Sequence, residues 1–110
     1  MKKEFQIIAE LIKNNTRVLD VGCGDGILMK HLKDNKNVDT RGLEISKNNV
    51  QICISKGLPV IEGNAERDLQ QFPDLSFDYV ILSQTLQAFY SPEKVMDDLL
   101  RVGSKDIDTI

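Results

Sequence analysis

The sequence predicts an α/β fold, a Rossmann-like parallel sheet sandwiched by helices. Three observations predict it. Short apolar runs alternate with segments of helical period along the chain, a glycine-rich loop joins the first such run to a helix, and an acidic residue closes the second.

The elements follow in order. Residues 4–13 place Phe5, Ile8, Ala9 and Ile12 on one helical face, and Asn14-Asn15-Thr16 ends that helix. Arg17 to Val21 reads as a short apolar strand, closed by Gly22-Cys23-Gly24-Asp25-Gly26. A helix restarts from Ile27 to Lys33, with Ile27, Leu28, His31 and Leu32 on its inward side. After a polar turn at 34–37, Thr40 to Ile45 forms a second strand with Glu44 at its end. Ser46 is placed to cap the next helix, because its hydroxyl can accept from an orphan N–H of the first turn. Val50, Cys53 and Ile54 are expected inward along it, with Gly57 as its left-handed terminator.

Leu58 to Glu62 is a third strand, followed by a polar stretch from Gly63 to Gln71. Phe77 to Leu82 is nearly continuously apolar, as a buried parallel strand should be. Ser91-Pro92-Glu93 opens a last helix with a capping serine, a proline in the first turn and an acid near the positive dipole end. Its expected stripe is Val95, Met96, Leu99, Leu100 and Val102, and Gly103 ends it. Residues 105–110 alternate in character and form a candidate fifth strand at a half-solvated edge.

Bulk properties narrow the function classes. A chain of 110 residues is expected to be one domain, residues 1–110. A net charge of −3 gives no footprint for binding a phosphate backbone, so neither nucleic acid nor an anionic membrane is an expected partner. The N-terminus lacks the apolar core of a signal peptide, and no run approaches the length needed to span a bilayer. Cys23 and Cys53 lack metal-like spacing and read as free thiols, which suits a cytoplasmic protein; no metal site is expected.

The loop carries the functional signal. Glycines between a strand and a helix permit a tight turn and let a ligand approach the backbone. A dinucleotide fingerprint runs G-x-G-x-x-G/A, but here the third glycine comes one position early and position 27 is isoleucine. Asp20 precedes the loop and Asp25 lies inside it. Two carboxylates would repel a pyrophosphate, yet they suit a ligand carrying an ammonium and a sulfonium. Charge therefore favours S-adenosylmethionine over NAD. Glu44, eighteen positions after Gly26, is placed to accept from both ribose hydroxyls of an adenosine. In an open α/β sheet the ligand lies beyond the carboxyl ends of the strands at the switch point, so Asp20–Gly26 and Ser83–Thr85 are expected to meet there.

These residues carry a family resemblance. Val18 to Gly26 resembles motif I of class I S-adenosylmethionine-dependent methyltransferases, and Pro73 to Asp78 is similar to the segment leading into their fourth strand. Arg41-Gly42-Leu43-Glu44-Ile45-Ser46 and Tyr79 to Gln87 match one branch nearly letter for letter, the methionine-biosynthesis MetW family. The resemblance implies the class I methyltransferase sandwich, with strand order 3-2-1-4 and a place for a fifth. It implies S-adenosylmethionine or S-adenosylhomocysteine as the bound cofactor. It also implies a cytoplasmic bacterial protein that acts with homoserine O-acyltransferase. Carried over by position, it gives Asp20, Gly22, Gly24 and Gly26 to the methionine moiety, Glu44 to the ribose, and the Asn64-Ala65 position to the adenine, with Cys23, Ile45 and Ser83 as further cofactor-binding residues. Asn64 stands where the fold usually has an aspartate, and its carbonyl could still accept from the adenine amino group. The family's fold continues beyond a fourth strand, which leaves a sheet edge here as a surface for association.

Catalytic residues stay unassigned. His31 is the sole histidine and falls on an inward helical face, where a packed imidazole is commoner than a base. Ser83, Gln84, Thr85, Gln87 and Tyr90 follow the fourth strand and could line an acceptor pocket or serve as turn groups. Three functional readings stand: an accessory cofactor-binding protein, a catalytic small-molecule methyltransferase, and an inactive fragment.

Overall fold

The computed structural model describes residues 1–83 and 89–103. It contains a four-stranded parallel sheet in the order β3-β2-β1-β4. The strands are β1 (Arg17–Val21), β2 (Asp39–Glu44), β3 (Val60–Glu62) and β4 (Tyr79–Leu82). Crossovers run through α1 (Lys3–Leu11) ahead of β1, then α2 (Ile27–Lys36), α3 (Lys47–Ser55), the short α4 (Ala65–Asp68) with a 3-10 turn at Leu69–Gln71, and α5 (Pro92–Val102). The sequence-predicted order 3-2-1-4 is the observed one. The expected fifth strand, residues 105–110, lies outside the described residues.

β1 forms the centre because it is apolar on both faces: Val18, Leu19, Asp20 and Val21 are all buried. Val21 stands level with Leu43 on one side and Leu82 on the other, so three strand ends finish together beside the glycine loop. One core layer packs Leu19, Val21 and Leu43 against Leu69, Phe72, Leu99 and Val102. The opposite layer joins Val18 and Ile81 to Ala9, Ile12, Leu28 and Leu32. A third cluster, Cys23, Met29, Cys53 and Leu58, sits under the loop itself.

Several local expectations are corrected. Ile27 is exposed and Met29 is buried instead, because α2 meets the sheet with a face rotated by about one residue from the expected one; Ile54 is exposed on α3. Leu100 is likewise exposed on α5. α1 stops at Leu11, and Ile12 leaves the helix in extended conformation to stay buried. The polar stretch after β3 holds a short helix, and Asn64 caps α4 by accepting from the Glu66 N–H at 2.7 Å. Ser46 does cap α3, accepting from Asn49 N–H at 3.3 Å, whereas Ser91 makes no side-chain cap bond. Gly103 does end α5 as expected; it leaves the helix extended and bridges in parallel to Phe77.

Candidate functional site

The loop between β1 and α2 is built by three left-handed glycines, Gly22 (φ 79°), Gly24 (φ 60°) and Gly26 (φ 84°). Two of them are needed for different reasons. An ideal Cβ on Gly26 would lie 2.6 Å from Leu58 Cδ1 and 3.0 Å from Cys53 Sγ, so Gly26 permits helix packing. A Cβ on Gly24 would meet nothing within 4 Å. Gly24 is a glycine for its backbone conformation and for an open approach, which is what a close-lying ligand requires. The loop is anchored to β2, with the Gly22 N–H donating to the Leu43 carbonyl at 2.7 Å.

Glu44 ends β2 and is buried, with both carboxylate oxygens engaged. Oε1 accepts from the Gly24 N–H at 2.8 Å and Oε2 from the Ser46 N–H at 2.9 Å. The side chain therefore joins the loop to the start of α3. Each oxygen keeps a further lone pair for a hydroxyl donor.

Asp20 lies deeper. It is 2% exposed, and its Oδ1 accepts from the Ser83 hydroxyl at 3.1 Å. Burial pushes its pKa up to about 7; the Ser83 bond pulls it down, and the nearby Glu44 charge adds to the rise. The expected meeting of β1 and β4 is thus made by this pair, reinforced by Ser83 N–H donating to the Val21 carbonyl at 2.9 Å. Gln84, Thr85 and Gln87 lie outside the described residues.

Two cavities flank the loop. One, of about 350 Å³, is lined by Val21, Gly22, Leu43, Ile45, Gly63, Asn64, Ala65, Glu66, Phe89 and Tyr90. Its walls are largely apolar, and Ile45 is 59% exposed because it faces this space. The other, of about 410 Å³, is lined by Lys2, Phe5, Gly22, Cys23, Gly24, Asp25, Ile27, Asn49 and Ser83. Gly22 is common to both, so the loop backbone forms the ridge between a slot walled by Leu43, Ile45 and Phe89 and one edged by Lys2, Asp25, Asn49 and Ser83. Asp20, Gly26 and Glu44 line neither cavity and act from behind the loop.

Asn64 sits at the apolar slot with Oδ1 committed to the α4 cap, and its N–H donates to Asp68 Oδ2 at 2.7 Å. Ala65 is buried at the same wall. Sequence reasoning missed Glu66 and Phe89. The Glu66 carboxylate accepts from the N–H groups of Tyr90 and Ser91, each at 3.0 Å, and so caps α5 in place of the Ser91 hydroxyl. No local pattern announces a cap supplied from 24 and 25 residues away. The aromatic pair Phe89-Tyr90 just ahead of a helix was the available signal. His31 is half-buried beside Asn35, its Nδ1 3.2 Å from Nδ2, and lines neither cavity. Among the described residues no group of three or more His, Cys, Asp or Glu could hold a metal ion.

The arrangement fits a flat apolar ring in the slot beside Ile45, a hydroxylated sugar at Glu44, and a cationic chain crossing the loop toward Asp20. It disfavours a pyrophosphate, which would face the Asp25 carboxylate with Asp20 and Glu44 buried close behind the loop.

Comparison with known proteins agrees with this fold. The family described as Methionine biosynthesis protein MetW matches residues 2–110. A bifunctional methionine biosynthesis protein MetXA/MetW from Rhodopirellula baltica is 34% identical over 104 residues, covering 87% of this chain and 17% of that protein. Among solved structures, the [4+2]-cyclase SpnF superposes with a TM-score of 0.80 at 23% identity, over 93% of this chain and 40% of that one. A SAM-dependent methyltransferase from Archaeoglobus fulgidus superposes with a TM-score of 0.79 at 21% identity, over 92% and 46%. The chain spans less than half the length of each. The architecture is the Rossmann-like class I methyltransferase fold, on which both a methyltransferase and a cyclase are built.

Proposed function

The chain belongs to the MetW family of methionine-biosynthesis proteins, and from that premise we propose that it binds S-adenosylmethionine or S-adenosylhomocysteine and acts with homoserine O-acyltransferase in the cytoplasm of a bacterium. One observation carries the binding reading: the buried Glu44 carboxylate holds the Gly24 N–H at 2.8 Å from behind the loop that divides the two cavities, and the Cβ position of that glycine is open space.

In this reading Gly22, Cys23 and Gly24 present backbone to the methionine portion, with Asp20 and Ser83 setting the charge beneath it. Gly26 holds the loop's shape by letting α2 and α3 close behind it. Glu44 receives the ribose hydroxyls through its remaining lone pairs. Ile45 and Ala65 sandwich the adenine, and Asn64 offers its amide at the ring edge. When bound, the cofactor supplies a sulfonium-activated methyl group. This chain's own residues orient it, neutralise its positive charge and exclude water from its apolar ring.

The partner reading is supported by the Rhodopirellula baltica relative, which carries MetXA and MetW in one polypeptide. Among the described residues β4 pairs only with β1, and its outer edge is where we place the contact. A second reading, a catalytic small-molecule methyltransferase, is favoured by the fold itself and by the polar cavity at Ser83 and Asn49.

Thermal-shift titration with S-adenosylmethionine, S-adenosylhomocysteine and NAD side by side tests the binding reading. The two sulfur nucleosides should raise the midpoint and NAD should not. An equal response to all three, or none to the sulfur nucleosides at millimolar dose, overturns it. Co-purification with homoserine O-acyltransferase, with a rise in that enzyme's rate, distinguishes the accessory role. Labelled methyl transfer to a metabolite would favour the catalytic one.

A further inference from the structure

Two stretches far apart in sequence, 63–66 and 89–90, line the same cavity of about 350 Å³. Three hydrogen bonds at Glu66 fasten one stretch to the other. Its carboxylate oxygens accept from the Tyr90 and Ser91 N–H groups, each at 3.0 Å, and its carbonyl accepts from the Lys94 ammonium at 3.0 Å. The carboxylate also meets the positive dipole end of α5, an 11-residue helix whose Ser91 hydroxyl makes no cap bond. Glu66 is itself held, because its N–H donates to Asn64 Oδ1 at 2.7 Å. Phe89, next to Tyr90 in the chain, is half-buried and packs against the core layer that contains Leu43 and Ala65.

We propose that Phe89 stacks on the base of the bound nucleoside and that Glu66 is the positioning residue that holds Phe89 in place. The inference rests on the cofactor reading and adds two residues to it. The walls at Val21, Leu43 and Ile45 are aliphatic, and Ala65 offers only a methyl group. A purine gains more from an aromatic face than from these, because its flat π-system stacks on another. Two aromatic rings line the slot, Phe89 and Tyr90. Tyr90 is 100% exposed, so binding would have to order its side chain, whereas Phe89 is already packed against the core and is the ring prepared for a ligand. Glu66 bonds the backbone at 90 and 91, and so acts on the base only through the segment that carries Phe89.

The consequence is an overlap of two losses. Phe89→Leu keeps an apolar side chain against the core but removes the π face, and nucleoside affinity should fall about tenfold, within the range one base–aromatic stack carries. Glu66→Ala frees the segment that carries Phe89 and should lose no more than that. Because Glu66 acts through Phe89, the double variant should bind as Phe89→Leu alone does. Glu66→Gln keeps one accepting oxygen and should lose less than Glu66→Ala. A carboxylate with a purely structural role would instead weaken binding by the same factor whether or not Phe89 is present.

The test uses the whole chain and S-adenosylhomocysteine. Calorimetry well below the melting midpoint compares wild type, Phe89→Leu, Glu66→Ala, Glu66→Gln and the double variant. A second measurement needs no variant to fold: wild-type protein with isotope-labelled phenylalanine, its rings assigned through the backbone, should show nuclear Overhauser contacts between the Phe89 ring and the adenine ring protons. Binding without those contacts, wild-type affinity in Phe89→Leu, or losses that add in the double variant would each overturn the proposal. Absence of any binding by the wild-type chain would instead overturn the cofactor reading on which the inference stands.

Discussion

Replacing Asp20 with asparagine should make the protein more stable at pH 8 and remove most of its pH dependence between pH 5.5 and 8. The folded carboxyl has its pKa raised from 3.8 to about 7, chiefly by burial. A raised acid binds its proton more tightly in the folded chain than in the unfolded one. Stability must therefore grow as pH falls from about 7 toward about 4, and level off above 7. At one pKa unit per 1.36 kcal/mol the full span is about 4 kcal/mol, and between pH 8 and pH 5.5 about 2 kcal/mol of it is realised. For a domain near this size that corresponds to a midpoint about 10 °C higher at pH 5.5 than at pH 8. Asparagine is uncharged throughout and keeps an oxygen for the Ser83 hydroxyl, so its melting curve should be flat across that window. Scanning calorimetry of both proteins at half-unit steps measures the difference. Equal slopes in the two proteins would refute the argument that a buried, uncompensated carboxylate lies under the loop. If the proposed cationic ligand reaches it, S-adenosylmethionine should bind more tightly above pH 7 than below, and its binding at pH 6.5 should release protons to buffer.

Four further substitutions separate packing, recognition and helix capping. Gly24→Val should cost about 1–2 kcal/mol of stability for its left-handed conformation, yet abolish nucleoside binding in calorimetry. Gly26→Ala adds a Cβ 2.6 Å from Leu58 Cδ1 and should cost more, about 2–4 kcal/mol from strain and overpacking together, by urea denaturation. A reversed order of stability would contradict the roles assigned to these glycines. Glu44→Gln can accept from only one of the Gly24 and Ser46 N–H groups, so it should destabilise by about 1–3 kcal/mol and weaken binding at least tenfold; unchanged affinity would remove Glu44 from the site. Glu66→Ala leaves the N–H groups of Tyr90 and Ser91 uncapped and should cost about 1 kcal/mol, read as faster amide exchange at the start of α5. Unchanged exchange would show that the cap is not formed in solution.

Fold order and loop position were legible because they depend on local chemistry. Gly22, Gly24 and Gly26 adopt positive φ for reasons internal to a strand-to-helix turn, and Ser46 caps α3 through a bond spanning three residues. The alternation of apolar runs with helical segments left few topologies for a parallel sheet. Helix faces were read less well. Ile27, Ile54 and Leu100 share the period of their buried neighbours, but which side of a helix meets the sheet depends on crossover angles that no single segment encodes.

By itself the sequence determined a parallel sheet with an acidic, glycine-built turn after its first strand, and a carboxylate at the end of its second. Only the tertiary structure decided what those carboxylates do. Asp20 sits under the loop against Ser83, Glu44 bonds the loop backbone, and Glu66 reaches across to begin α5. It also brought Cys53 to the carbonyl of Gly24. The physical reason is the same in each case. A side chain's charge state and partners are set by which distant surfaces exclude water around it, and that exclusion exists only once the layers have packed.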